Sequence, residues 1–276
     1  MTEDGTGRLD DQAFAQWLAR QAGAALTALR AEQGFADPAA LKNAGDKSSH
    51  DLMSTALARW RPDDAVLSEE QADSRRAWAG DPAAGQRPDR LDADRVWIID
   101  PLDGTREFSE AGRDDWAVHV ALWQRSAGPD GALVAGAVGM PARTGADGEP
   151  LVLGTRLPMP PPADGPLRIA VSRSRPPAFV SELVAGLGAR AVPMGSAGVK
   201  VCAVVTGEAD AYVHAGGQYE WDSAAPVAVA LGAGLHACRI DGSPLRYNRD
   251  DPRLPDLLVC RPEHADTLLA AIDRYR

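Results

Sequence analysis

Asp100 and Asp103 stand three residues apart, where the apolar run Val96-Trp97-Ile98-Ile99 gives way to Pro101, Gly104 and Thr105. An apolar run bounded by turn formers predicts the end of a buried strand, and Asp-Pro followed by Asp-Gly predicts a tight turn. Two carboxylates and a hydroxyl on such a turn can converge on one point. Oxygen-only donors suit a hard cation, Mg²⁺ or Mn²⁺, rather than zinc. The turn alone reads equally well as one that satisfies its own backbone. Glu69 follows the short apolar segment Ala65-Val66-Leu67 and offers a third acid at a strand end, although a surface Glu-Glu pair is the commoner use of such residues. Asp222 lies in Glu220-Trp221-Asp222-Ser223-Ala224-Ala225-Pro226, ahead of a small-residue helix that must pack closely. It reads as an N-cap or as a fourth ligand.

Other residues suit anions. Gly195-Ser196-Ala197-Gly198 leads into a helix carrying Lys200, so backbone N–H groups and an ammonium could hold phosphate there. Ser172-Arg173-Ser174-Arg175 follows a strand end and could meet a second anion. Arg173 is the first choice for that contact, ahead of Arg175, Lys200 and Arg246. His119 and His214 fall inside predicted strands, where packing is the simpler role. No side chain presents itself as a phosphoryl-accepting nucleophile, so direct attack by water is the expected chemistry, with two Mg²⁺ roughly cancelling four carboxylates.

The elements that must position these groups are mixed. Phe14, Trp17, Leu18, Ala22, Ala25 and Leu29 predict a helix capped by Asp10 and ended by Gly34. A polar stretch over 42–50 then precedes a second helix holding Leu52, Met53, Ala56, Leu57 and Trp60. Residues 71–95 are poor in apolar residues and read as a surface excursion. Strands are expected at 116–123, 133–138 and 151–153. Five prolines within 157–166 mark a stiff linker. It divides the chain into an N-terminal half, 1–157, and a C-terminal half, 167–276, with the site between them. Beyond it strands and helices alternate, with helices at 179–187, 199–205 and 222–231. Segments 235–240 and 245–247 form a hairpin over Asp241-Gly242, and a last helix opens at Pro262.

Composition narrows the partners. The 276 residues carry a formal net charge of −10 and no basic run, which disfavours a nucleic-acid polymer. No apolar stretch reaches membrane-spanning length and the first residues lack a signal-peptide pattern. Cys202, Cys238 and Cys260 form no short-spaced pair, so reduced buried thiols and a cytoplasmic location are expected.

Taken in order, Ser68-Glu69-Glu70, Trp97-Ile98-Ile99-Asp100-Pro101-Leu102-Asp103-Gly104-Thr105, Gly195-Ser196-Ala197 and Glu220-Trp221-Asp222-Ser223-Ala224-Ala225 resemble the inositol-monophosphatase-like superfamily of metal-dependent phosphatases. Arg106-Glu107-Phe108 and Glu220 are similar to its CysQ-type 3′(2′),5′-bisphosphate nucleotidases. The resemblance implies a layered α-β-α-β-α sandwich, a homodimer, lithium sensitivity and two or three Mg²⁺ per site. It implies that Glu69, Asp100, the Leu102 carbonyl, Asp103 and Asp222 bind metal and that Thr105 orients the attacking water. Gly104, Thr105, Ser196 and Lys200 would lie near the phosphate, together with the metal ligands Glu69, Leu102, Asp103 and Asp222, and Glu220 near the sugar. The family's N-terminal aspartate, which partners the threonine, sits in a Val-Thr-x-x-Asp segment. Here that region reads Gly45-Asp46-Lys47-Ser48-Ser49-His50-Asp51, so Asp46 and Asp51 compete for the role. The implied activity is hydrolysis of the 3′-phosphate of 3′-phosphoadenosine 5′-phosphate, in the recycling step of sulfur assimilation. Inositol-1-phosphate or fructose-1,6-bisphosphate are the alternative substrates, and a silent sugar-phosphate sensor is a further alternative.

Overall fold

The computed structural model describes residue 6, residues 9–70 and residues 89–276. Two aspartates start the long helices. Asp10 accepts a hydrogen bond from the Ala13 N–H and opens α1 (Asp11–Gln33), which ends at Gly34 with φ 64°. Asp37 accepts from Ala39 and Ala40, Pro38 supplies a preset φ, and α2 (Pro38–Trp60) follows. The helix therefore runs straight through 42–50, which the sequence pattern left as a polar stretch. Leu41, Gly45, Ser49, Met53 and Leu57 recur every four residues and are buried. Gly45 and Ser49 hid that stripe because neither is apolar. A Cβ on Gly45 would come within 2.7 Å of the Phe108 ring.

The first sheet has the order β1-β2-β3-β4-β5, from β1 (Ala65–Ser68), β2 (Arg95–Asp103), β3 (Ala117–Gln124), β4 (Ala132–Thr144) and β5 (Pro150–Gly154). β1 and β2 are parallel and the other pairs antiparallel. A one-turn helix, α3 (Thr105–Phe108), follows β2. The second sheet has the order β7-β6-β8-β10-β9, from β6 (Arg168–Ser172), β7 (Arg190–Met194), β8 (Ala211–Ala215), β9 (His236–Cys238) and β10 (Asp256–Cys260). Between its strands lie α4 (Val180–Gly186), α5 (Ala197–Thr206) and α6 (Glu220–Gly232), and α7 (Ala265–Tyr275) closes the chain behind a 3₁₀ turn at Pro262–His264.

Side-chain alternation sets the layers. Trp97 and Ile99 of β2 face α1 and α2, against Phe14, Leu18 and Met53. Val96 and Ile98 face the other way, toward Val201 of α5 and Ala224 of α6. That middle helical layer also receives Ala170, Tyr212 and Val259 from the second sheet. Ile169, Val171 and Leu258 on the sheet's outer face pack on α4 and α7. The result is the expected α-β-α-β-α sandwich. Burying side chains as large as Phe14, Trp97 or Ile98 completely contributes about 1.5–3 kcal/mol each. α6 lies so close to β4 that a Cβ on Gly136 would sit 2.5 Å from that of Ala228.

Three further local expectations are corrected. β2 does not end at Ile99 but continues through Pro101 to Asp103. α6 begins at Glu220, so Asp222 is its third residue rather than its cap, and Pro226 lies inside the helix. The turn at Asp241-Gly242 forms, but 245–247 make no strand. Asp256 accepts from the Ile240 N–H and from Arg239, which draws β9 to β10 instead. Of the expected excursion over 71–95, residues 71–88 lie outside the described residues.

Candidate active site

In a regular strand, residues three apart point to opposite faces. Asp100 is opposite His119 and Asp103 is opposite Ala117, so β2 spends one residue more than β3 across this interval. That bulge brings both carboxylates to the same side. The Leu102 N–H donates to Asp100 Oδ1 at 3.0 Å, and Thr105 Oγ1 donates to the Leu102 carbonyl at 3.1 Å. Gly104 turns the chain at φ 85° beneath Ser196 and Asp115. Asp222 enters from α6, its Oδ2 accepting the Tyr219 N–H at 2.7 Å. One carboxylate oxygen from each of Asp100, Asp103 and Asp222 lies within 4.8 Å of the others. Glu69, just past β1, lines the same cleft of about 450 Å³.

The acids do not share one protonation behaviour. Burial, then Asp222, Asp46 and Asp103, pushes Glu69 up to about 8. Burial and the neighbouring Glu69, Asp103 and Asp222 hold Asp100 well above the usual carboxylate range. Burial and Asp103 push Asp222 up to about 7. Asp103 is equally buried, but His119, Ser196 and Gly198 outweigh that burial and hold it down at about 2. Its Oδ2 accepts from Ser196 Oγ at 2.5 Å and from Gly198 N at 2.6 Å, and its Oδ1 from Ala197 N at 3.2 Å. One fixed anion thus sits among three carboxyls that resist ionisation together, the signature of a site short of positive charge.

Asp46 and Asp51 are separated by the helix they share. Asp51 is exposed and pairs with Lys47 at 2.6 Å, on the outer face that Trp17 and Trp60 also line. It is removed from the site. Asp46 faces the acids: it is one of the charges that raise Glu69, and burial with Glu70 pushes it up to about 7. The Gly195–Gly198 turn is not an open phosphate cradle, because Asp103 occupies its N–H groups. Lys200 is buried and donates to the Gly195 and Ser196 carbonyls, and burial lowers its pKa. Glu220 does not line the cleft. It is buried and accepts the Asn248 and Arg249 N–H groups at 2.6 and 2.8 Å, anchoring that loop. Arg173 is also displaced from its expected role: its guanidinium reaches Glu107 at 2.5 Å and Glu110 at 3.2 Å.

Some contributors were not legible beforehand. His119 is fully buried, with Nδ1 donating to the Trp221 carbonyl at 3.0 Å and Nε2 3.3 Å from Asp103 Oδ2. Asp115 accepts the Gly195 N–H at 2.6 Å. Only the apolar neighbours of His119 hinted that its imidazole needed buried partners.

The inositol monophosphatase family matches residues 11–275. A Mycobacterium tuberculosis protein named 3′-phosphoadenosine 5′-phosphate phosphatase is 52% identical over 256 residues, covering 92% of this chain and 91% of its own. The Mycobacterium leprae protein of the same name is 49% identical over 276 residues, covering 98% and 96%. The crystal structure of CysQ from Bacteroides thetaiotaomicron superposes with a TM-score of 0.67 at 24% identity, covering 90% of this chain and 95% of that one.

Proposed function

This chain belongs to the inositol monophosphatase family, and on that premise we propose that it is a Mg²⁺-dependent phosphatase that removes the 3′-phosphate of 3′-phosphoadenosine 5′-phosphate. One observation carries the metal dependence. Buried Asp100 and Asp103 and half-buried Asp222 bring oxygens within 4.8 Å of one another, while the Lys200 ammonium lining the same cleft is bonded to backbone carbonyls. An all-oxygen donor set with excess negative charge fits a hard divalent cation. Glu69, Asp100, Asp103, Asp222 and the Leu102 carbonyl would hold it, as two or three ions. When bound, Mg²⁺ supplies Lewis-acid chemistry, making water acidic and stabilising charge on the leaving oxygen. Thr105, at the cleft floor, and Asp46 are the pair that would orient the attacking water. Ser196 serves the site through Asp103, and Gly104 leaves the floor bare.

The names of the two mycobacterial relatives support the nucleotide as substrate. Lithium inhibition, a homodimer, a cytoplasmic location and a role in sulfur recycling belong to the same reading. So does the division into halves 1–157 and 167–276, which is supported by each sheet lying on one side of the proline-rich linker. The test is free phosphate released from 3′-phosphoadenosine 5′-phosphate, inositol-1-phosphate and fructose-1,6-bisphosphate, with Mg²⁺ or with chelator. The nucleotide should have the highest kcat/KM, and chelation should abolish turnover. A higher kcat/KM on either of the other two would overturn the substrate, and undiminished turnover after exhaustive chelation the metal dependence.

A further inference from the structure

β6 and β8 are parallel neighbours, yet they pair only at Ile169–Ala211 and Ala170–Tyr212. Beyond that point β6 stays with β7 as far as Ser172–Met194, and β8 stays with β10 as far as Ala215–Asp256. The two strands therefore part before their carboxyl ends. Their outgoing chains also leave to opposite faces of the sheet. β6 leads to α4, which packs with Ile169 and Val171, and β8 leads to α6, which lies on the side of Ala170 and Tyr212. In open α/β sheets, such a reversal of strand order opens a crevice outside the carboxyl ends, and ligands bind there. Here the crevice is continuous with the cleft of the acids. Ser174 and Arg175 line one bank, and His214, Gly216 and Gly217 the other.

Charge divides the cleft into two ends. Three cations line it. Lys200 is bonded to carbonyls, and Arg106 pairs with Glu110 at 3.1 Å. Among the described residues Arg175 forms no ion pair, and its only hydrogen bond runs from its backbone N–H to Ser172 Oγ. On the opposite bank His214 Nε2 donates to the Gly216 carbonyl at 2.6 Å. Gly216 and Gly217 have φ of 96° and 75°, and an added Cβ on either would meet nothing within 4 Å. The turn thus presents bare backbone to the crevice, where a bulky group can approach the main chain.

We infer that this crevice is a subsite for a second anion on the substrate, with Arg175 as its positive contact and the Gly216-Gly217 turn as its facing wall. The inference rests on the nucleotidase reading: the second anion is the 5′-phosphate, held here while the 3′-phosphate faces the acids. Arg175 takes the part that the sequence pattern gave to Arg173, which Glu107 and Glu110 already occupy.

A charge-assisted contact to phosphate changes specificity by roughly ten- to a hundredfold. The test compares kcat/KM for 3′-phosphoadenosine 5′-phosphate with that for 3′-AMP, which carries the same scissile group without the second anion. Arg175→Ala should lower that ratio by about tenfold or more, through KM, and Arg175→Lys should restore part of it. Competitive inhibition by 5′-AMP and adenosine reads the same contact without turnover: the advantage of 5′-AMP should shrink in Arg175→Ala. Wild-type protein that does not prefer the bisphosphate overturns the nucleotidase reading and the subsite with it. A wild-type preference that survives in Arg175→Ala overturns the subsite alone, as does a larger change of the ratio in Arg173→Ala.

Discussion

At the scale of single residues, the site is a contest between burial and charge. Asp100 is buried among Glu69, Asp103 and Asp222 and has no cationic partner among the described residues beyond His119, whose Nδ1 lies 4.0 Å away. Asp100→Asn keeps the shape and removes the charge, so phosphate release should fall by about three orders of magnitude or more, because ligand charge and geometry both select the metal. A variant within tenfold of wild type would place the chemistry elsewhere. Asp46 and Asp51 give a paired test. Asp46→Asn should lose about a hundredfold in kcat, the scale of general acid–base help. Asp51→Asn, whose parent side chain is exposed beside Lys47, should stay within about twofold. Equal losses in the two would return Asp51 to the site.

At the scale of elements, the positions that matter are those where a strand or helix departs from its regular period. The bulge in β2 makes an odd spacing of acids useful, and the tight fit of α5 against β3 lets Asp103 take its N-terminal N–H groups. Gly198 holds that fit, since a Cβ there would lie 2.0 Å from His119 Nε2. Gly198→Ala should destabilise the protein by about 1–3 kcal/mol, read as a lower urea midpoint, and weaken the Mg²⁺ response. An unchanged midpoint would mean that α5 is free to shift. The same departures explain what could be read in advance. Strands rich in Val, Ile and Leu, helix caps such as Asp10, and the order of the acidic motifs were legible because each is a local signal. The course of α2 was not, because its buried stripe uses Gly45 and Ser49. Nor were the burial of Glu220 or the pairing of Arg173, which depend on partners brought in from Asn248 and Glu107 across the chain. Strand order, which opens the crevice beside Arg175, leaves no mark at all on local sequence.

At the scale of the whole molecule, the acids tie stability to pH and metal. Glu69 and Asp222 have folded pKa values of about 8 and about 7, above their ordinary ones, so the folded state binds more protons than the unfolded. Their contribution is fully present below about pH 4 and is lost as pH rises through 7–8. Asp103, at about 2, works the other way: its contribution is present above about pH 4 and is lost on acidification toward 2. In chelator, the melting temperature should fall between about pH 5 and 9, and millimolar Mg²⁺ should remove most of that fall by binding only the folded state. A smaller decline should persist from Glu220, pushed up to about 7 by burial and remote from the cleft. Identical pH profiles with and without Mg²⁺ would show that the acids form no shared metal site. The layered architecture has a consequence in time. The first sheet is complete at Gly154, but the helices that cover its inner face, α5 and α6, end only at Thr206 and Gly232. At translation rates of about 5–20 residues per second, that apolar face waits several seconds on the ribosome for its cover. The nascent chain is therefore a natural client for a holdase during this interval, and truncation anywhere between β5 and α6 should yield insoluble protein rather than a stable half.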